Sequence, residues 1–367
     1  MEKVKIGIIG CGNISDIYLT NFKNMFDITE VKAVADMVPE RAQAKAETYG
    51  IPYAWTVEEI LADPEIKIIV NLTIPIAHAE ICLAALNAGK NVYVEKPFAI
   101  TREDGKKVLK LAQEKGLLVG GAPDTFLGAG IQTARKAIDD GWIGTPIAAS
   151  ACMLCRGHET WHPDPEFYYK EGGGPMFDMG PYYLTALINL LGPVKRVTAS
   201  AKISFPQRTI TSEKKYGNII DVDVPTHIAG VMDFENGAVG TLVTSFDVAA
   251  HNVPTIEIYG SQGSLSVPDP NTFGGSVMIK RLNQDDWKEL PYSHGNSENS
   301  RGIGVADMAY ALQTGRKNRV NGELAYHVLE LMHGFHDASR DGKHYIVEST
   351  CERPEALPMW DNPLKAK

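Results

Sequence analysis

The chain contains no stretch of about 18 consecutive apolar residues, the minimum for a helix that spans a bilayer. It also lacks a concentrated basic surface, for the formal charge is −9 and the densest basic run is Arg316-Lys317-Asn318-Arg319. A phosphate backbone needs clustered Lys and Arg, so a nucleic-acid partner is excluded. The run itself reads as a solvated cap at a helix end, where cations meet the negative end of the dipole. Cysteine is scarce and odd in number, five in 367 residues. That argues against a disulfide framework and for a reducing compartment, with the cytoplasm as the expectation. The opening MEKVKIGIIG enters an apolar run with no basic leader and no cleavage site, so no secretion signal is expected. Internal repeats and low-complexity linkers are absent as well, which implies closely docked domains.

What is present is the composition of an ordinary globular protein, 44% hydrophobic and 22% charged, long enough for two domains. The first third alternates short apolar runs with amphipathic segments, the texture of βαβ units. Strands are predicted at VKIGIIG, VKAVADM, IKIIVNLTI, NVYVEKP and LLVGGA, with helices over 13–26, 39–49, 76–88 and 102–115. Each strand is apolar nearly throughout, as helices on both faces require. The fold class is therefore α/β, a doubly wound parallel Rossmann sheet. Beyond residue 122 comes a helix over 127–140, then longer alternating runs: PIAASACML, VKRVTASAKISF, THIAGVMDF, AVGTLVTSF, TIEIYG and GSLSVP. Helical patterns return at 303–314 and 323–341. The expected division is 1–122 for the Rossmann domain and 123–367 for an α+β domain with a large, mostly antiparallel open sheet.

GIIGCGNIS at 7–15 is the strongest chemical signal. Gly10 permits a tight turn after the strand, Gly12 lets the backbone approach a pyrophosphate, and Ser15 is a small residue where a third glycine often stands. The following helix offers free N–H groups to an anion. Asp36 lies at the end of the next strand, about 20 residues on, where a carboxylate binds both ribose hydroxyls and repels a 2′-phosphate. NAD is the cofactor this predicts. Arg41 softens the preference, because a guanidinium accepts a 2′-phosphate.

His158-Glu159-Thr160-Trp161-His162 has the spacing of a zinc-protease motif, with Cys152 and Cys155 just upstream. That motif works only on a helix. Pro163 and Pro165 bias the segment away from helical geometry, and cysteines three apart at a strand end point to opposite faces. No metal is expected, and a long loop before the next helix is the better reading.

GIIGCGNIS, LTIPIAHAEICLAALNAGKNVYVEKPFAIT at 72–101 and GGGPMFDMGPYY at 172–183 resemble the glucose–fructose oxidoreductase / inositol dehydrogenase / MocA (Gfo/Idh/MocA) family, over nearly the whole chain. The resemblance implies nicotinamide-dependent redox chemistry on sugars, cyclitols or related hydroxylated substrates, and oligomer contacts through the C-terminal sheet. By position it assigns Gly10, Gly12, Asn13 and Ile14 to the pyrophosphate, Asp36 to the adenosine ribose, and Thr73, Pro75 and His78 to the nicotinamide half. Glu95 and Lys96 fall at the carboxyl end of a parallel strand, where ligands of open α/β sheets bind. An ammonium there offsets the charge that builds on an alcohol oxygen as hydride leaves, and it relays the proton if burial lowers its pKa.

Many members carry Asp-x-x-x-His, whereas here Asp178 is followed by Tyr182. Positions four apart share a helix face, so both side chains reach one substrate. Lys96, Tyr182 and a nearby histidine remain open as the proton acceptor, with Lys96 and Tyr182 preferred and Asp178 orienting them; Tyr182 and Tyr183 also fit as core aromatics. Trp161 and His162 suit sugar recognition, an indole covering the C–H face of a ring and an imidazole bonding hydroxyls. Asp124 in GAPDTF falls where the family places substrate or nicotinamide contacts. The expected activity is NAD-dependent removal of a hydride from a secondary ring carbon, and GAPDTFLGAG also resembles members that oxidise glycosides at the sugar C3. The alternatives are a redox-neutral NAD-dependent glycosidase on the same fold and a non-catalytic dinucleotide-binding regulator.

Overall fold

A computed structural model describes residues 2–359. They form two compact units, one built from residues 2–129, 293–329 and 354–359, the other from 130–292 and 330–353. The chain passes between the units at 129/130, 292/293, 329/330 and 353/354, so no single cut divides them.

In the first unit the chain runs β1 (Val4–Ile9), α1 (Ser15–Asn24), β2 (Thr29–Ala35), α2 (Pro39–Tyr49), β3 (Tyr53–Ala54), α3 (Val57–Ala62), β4 (Ile68–Asn71), α4 (His78–Asn87), β5 (Asn91–Val94), α5 (Arg102–Lys115) and β6 (Val119–Gly121). All six strands pair in parallel in the order β3-β2-β1-β4-β5-β6. The strand order reverses between β1 and β4, and ligands of such sheets bind outside the carboxyl ends at that point. Every residue of β4 and β5 is buried, which explains why these strands read as unbroken apolar runs. β3 and α3 escaped the sequence reading because each is short. The signal for α3 was a capping box, in which Thr56 accepts from the Glu59 N–H and Glu59 accepts from the Thr56 N–H.

α6 (Ala129–Asp139) and β7 (Pro146–Leu154) precede α7 (Gly174–Leu191), β8 (Val194–Lys202), β9 (Gln207–Thr209), β10 (Ile219–Asp221), β11 (His227–Phe234), β12 (Val239–Ser245), β13 (Ile256–Gly260), β14 (Gly263–Val267), β15 (Val277–Arg281) and β16 (Lys288–Leu290). After α8 (Ile303–Thr314) and α9 (Gly322–Asp341), β17 (Tyr345–Ile346) closes a nine-stranded sheet of order β16-β15-β14-β13-β7-β12-β11-β8-β17. Only the β7–β12 pair is parallel. One face is covered: Gly240, Leu242 and Thr244 of β12 are buried while the alternate Val239 and Thr241 are exposed. α7 packs on β7, β11 and β12, and it is apolar nearly all round because it is buried nearly all round.

The basic run 316–319 departs from its reading as a solvated cap. Asp307 on α8 is fully buried, and its carboxylate accepts from Arg316 at 2.6 Å and Arg319 at 2.7 Å, with Arg319 itself 8% exposed. The arginines are recruited because an unpaired buried carboxylate would be costly. Replacing Asp307 with Ala should strand both guanidinium groups and lower unfolding stability by about 3 kcal/mol, as read by denaturant titration; an unchanged midpoint would show the network to be dispensable.

Candidate active site

At the switch point the loop after β1 meets the loop after β4. Gly10 has φ 106°, and a Cβ there would stand 2.5 Å from the Leu72 carbonyl carbon and oxygen. No other residue permits that approach. The Gly10 and Leu72 amides continue the ladders to Ala35 and Ile9, both at 2.8 Å, so the two loops leave the sheet already aligned. Ser15 is buried and its hydroxyl donates to the Gly12 carbonyl at 2.6 Å, which joins the loop to the first turn of α1. No side chain caps α1, and Gly12, Asn13 and Ile14 at its start are all exposed.

Asp36 follows β2 directly. Its Oδ2 accepts from the Cys11 N–H at 2.7 Å and its Oδ1 from the Val38 N–H at 2.9 Å. The carboxylate is thereby fixed beside the glycine loop while two further lone-pair directions face outward. Burial and the nearby Asp36 charge push the Cys11 thiol up to about 12, which keeps it protonated and inert. Arg41 is exposed in the first turn of α2.

These features fit a dinucleotide. There is no atom within 4 Å of where a Cβ would lie at Gly12, which leaves space for a pyrophosphate against uncapped N–H groups. The groups that would hold it are Gly10, Gly12, Asn13 and Ile14, with Asp36 toward the ribose.

On the β4 side, Asn71 is fully buried and organises the loop that follows. It accepts from the Thr73 hydroxyl at 2.7 Å and amide at 3.2 Å and donates to the His78 carbonyl at 3.0 Å. Thr73 and Pro75 are half-buried beside the exposed Ile74 and Ile76. His78 was expected to face the nicotinamide, but its ring is buried with Nδ1 2.7 Å from the Pro97 carbonyl and Nε2 3.1 Å from the Thr73 carbonyl. It staples the β4 loop to the Glu95-Lys96-Pro97 turn; burial lowers its pKa against the pull of the two carbonyls.

Glu95 and Lys96 leave the carboxyl end of β5, where the Glu95 amide bonds the Asn71 carbonyl at 3.0 Å. Glu95 Oε1 accepts from the buried Tyr18 hydroxyl at 2.7 Å and Oε2 from the Lys96 N–H at 2.9 Å. With both oxygens engaged, Glu95 ties the turn to α1 and to its own following amide. Asp124 is a further correction. It is 1% exposed, and Oδ2 accepts from the Gly302 and Gly304 amides at 2.9 and 3.0 Å, so it is buried at the start of α8 and caps it. Burial pushes its pKa up to about 6.

In the second unit, residues 156–173 form a loop with two short 3₁₀ turns, His158–Thr160 and Glu166–Tyr169. The two histidines span a single turn, the His162 amide bonding the His158 carbonyl at 2.9 Å, and no continuous α-helix carries them; among the described residues no group of three or more His, Cys, Asp or Glu is placed to hold a metal. Asp178, in the second turn of α7, lies 2.8 Å from His158 Nε2, and both side chains are 11% exposed. The sequence had offered His158 only as a zinc ligand, because a 20-residue separation hides the pair. Tyr182 is one turn beyond Asp178 and is 7% exposed; Tyr183 is 4% exposed. Trp161 is 61% exposed, and its ring stands T-shaped to those of His158 and His162, each at 5.3 Å between centroids. His162 Nδ1 accepts from the Asp164 amide at 3.0 Å, so that nitrogen anchors the loop.

The fold and this loop-lined switch point are those of an NAD-binding oxidoreductase. Residues 4–121 match the oxidoreductase family model described as an NAD-binding Rossmann fold, and residues 131–266 match the GFO/IDH/MocA C-terminal domain. The chain is 30% identical over 305 residues to D-glucoside 3-dehydrogenase of Escherichia coli (strain K12), covering 78% of this chain and 85% of that one. It is 26% identical over 292 residues to levoglucosan dehydrogenase of Pseudarthrobacter phenanthrenivorans, 72% and 73% of the two chains. Among solved structures, levoglucosan dehydrogenase in complex with NADH and L-sorbose superposes with a TM-score of 0.83 at 21% identity, covering 95% of this chain and all of that one, which speaks for the fold. The protein belongs to the Gfo/Idh/MocA oxidoreductase family.

Two outcomes follow. Asp36→Ala removes the carboxylate that would meet the ribose and should weaken NAD binding by about tenfold to a hundredfold while narrowing the preference over NADP, measured by titration of nucleotide fluorescence; an unchanged NAD affinity contradicts that role. Because the Asp124 pKa is raised in the folded state, its contribution is full below pH 4 and is lost as pH rises through about 6. The stability gap between wild type and Asp124→Asn should therefore shift against the wild type by about 3 kcal/mol between pH 4 and pH 7; a gap independent of pH would refute the buried acid.

Proposed function

We propose that the protein is an NAD-dependent dehydrogenase of a sugar, glycoside or cyclitol, oxidising a secondary ring hydroxyl, with the C3 hydroxyl of a glycoside as the specific form. The observation that carries the reading is Lys96, next to a Glu95 locked by Tyr18 at the carboxyl end of β5 in an NAD-binding domain. Relatives named D-glucoside 3-dehydrogenase, levoglucosan dehydrogenase and myo-inositol 2-dehydrogenase support the substrate class.

When bound, NAD supplies the hydride acceptor. The chain binds and orients: Gly10, Gly12, Asn13 and Ile14 hold the pyrophosphate, Asp36 the ribose with Arg41 at its rim, and Thr73 and Pro75 border the nicotinamide with His78 fixing their loop. Lys96 offsets the negative charge that grows on the carbinol oxygen, an interaction stronger in the transition state than in the ground state. In the second unit Asp178 and Tyr182 share one face of α7, Trp161 has an indole suited to the C–H face of a sugar ring, and His162 stands beside it in the loop. A homo-oligomer through the uncovered face of the nine-stranded sheet belongs to this reading. So does a cytoplasmic location, in keeping with the odd cysteine count and with no helix among the described residues long and apolar enough to cross a membrane.

The test is a panel of glycosides and inositols, followed by NADH absorbance and by product mass. The expected product is lighter by the mass of two hydrogens. Lys96→Ala should lower kcat by about a hundredfold or more while NAD affinity stays within about threefold. Turnover near that of the wild type would remove Lys96 from the chemistry.

A further inference from the structure

Between the loop of Thr73 and the turn of Lys96, the first unit holds an imidazole whose two nitrogens both face oxygens that can only accept. We propose that His78 is a proton-operated positioning residue: the imidazolium grips both segments, the neutral ring releases the Thr73 loop, and NAD binds the gripped form more tightly. The inference rests on the dehydrogenase reading, which sets the nicotinamide half of the cofactor beside Thr73 and Pro75.

The local sequence catches the ring in place. Pro75 opens a single 3₁₀ turn, Pro75–Ala77, and the His78 N–H donates to the Pro75 carbonyl as α4 begins. The His78 carbonyl accepts from the buried Asn71 at 3.0 Å, and the residue is 1% exposed. Its backbone is thereby pinned to the end of β4, while its ring reaches the turn that follows β5.

Counting hydrogens sets the chemistry. Nδ1 lies 2.7 Å from the Pro97 carbonyl and Nε2 lies 3.1 Å from the Thr73 carbonyl. A neutral imidazole carries one N–H, so one of these contacts would set lone pair against lone pair; the imidazolium carries two and satisfies both. In the neutral ring the shorter contact keeps its hydrogen, which leaves Nε2 bare against Thr73. A buried ring has no solvent to replace the lost partner. Thr73 retains its own bonds to Asn71, so release loosens the loop without unfolding it.

The surroundings act on the charge from several sides. Burial disfavours the cation and lowers the pKa, the two carbonyls favour it, Glu95 adds to them and Lys96 opposes. Cys82, one turn further along α4, is kept protonated by burial and brings no charge. Because NAD binds the gripped form more tightly, cofactor and proton strengthen each other by the same factor. NAD affinity is therefore greatest at the acid end and falls as pH rises through the His78 transition.

In protein labelled with ¹⁵N-histidine, the ring resonances of His78, identified by their loss in His78→Gln, are followed from about pH 5 to pH 8 with and without NAD. Nδ1 should stay protonated throughout, Nε2 should gain its hydrogen as pH falls, and NAD should move that transition upward. Over the same range the NAD dissociation constant of the wild type should rise about fivefold more than that of His78→Gln, whose amide does not titrate. Asp124, pushed up to about 6, titrates in both proteins and cancels in the comparison. A ring that stays neutral across the range, a transition unmoved by NAD, or a variant whose affinity runs parallel to the wild type at every pH overturns the inference and leaves His78 a structural staple. Protein that shows these shifts yet oxidises no member of the panel keeps the inference and loses the substrate reading; protein that binds no NAD loses both. If His78→Gln does not fold, His78→Asn supplies the assignment and the effect of NAD on the transition decides alone.

Discussion

The close approach of Gly10 to the Leu72 backbone is the constraint on which the first unit depends. Where β1 and β4 diverge, the chain turns with positive φ so near its neighbour that an added Cβ would stand 2.5 Å from the Leu72 carbonyl. That contact presses the glycine loop against the loop of Thr73 and Pro75. Everything bound along the carboxyl edge inherits its alignment, because the amides of Gly10, Leu72 and Glu95 extend the sheet ladders for one more bond each. The Glu95-Lys96-Pro97 turn is then tied in by Tyr18 from one side and by His78 from the other. The Lys96 backbone gains a fixed origin in this way.

The second unit solves the same problem with charge. Arg208 is shared between Glu159 and Asp247, all three buried, with the rings of Tyr169 and Phe205 on its faces. Buried ion networks add little net stability, since desolvation cancels most of the attraction. What this one contributes is an anchor for a loop whose own backbone bonds are confined to short turns. α7 beneath it supplies Asp178 from a helix so fully buried that it cannot shift independently.

Much of this was legible in the sequence, and the misses share a cause. The helices over 39–49, 102–115 and 303–314 and the strand PIAASACML end where periodicity and caps say they should, because each is long enough for burial to impose a period. The glycine loop and Asp36 were legible since their spacing is local. The short β3 and α3 carried too few residues to show a period, although the Thr56–Glu59 box marked the start of α3. Asp124, His78 and Arg319 were read as exposed or ligand-facing, yet all are buried; burial of a polar residue depends on partners such as Gly302, Pro97 and Asp307 that sequence order does not reveal. His158 shows the same limit from the other side, its partner Asp178 being remote in sequence and adjacent in space.

The central claim is that this chain moves hydride from a ring carbinol to NAD. It is tested most directly by offering a glycoside deuterated at the C3 carbon and weighing both products. The account predicts deuterium in the recovered reduced nicotinamide and none left at the carbonyl carbon. A sugar converted with its deuterium retained, or with the label lost to water, would contradict it.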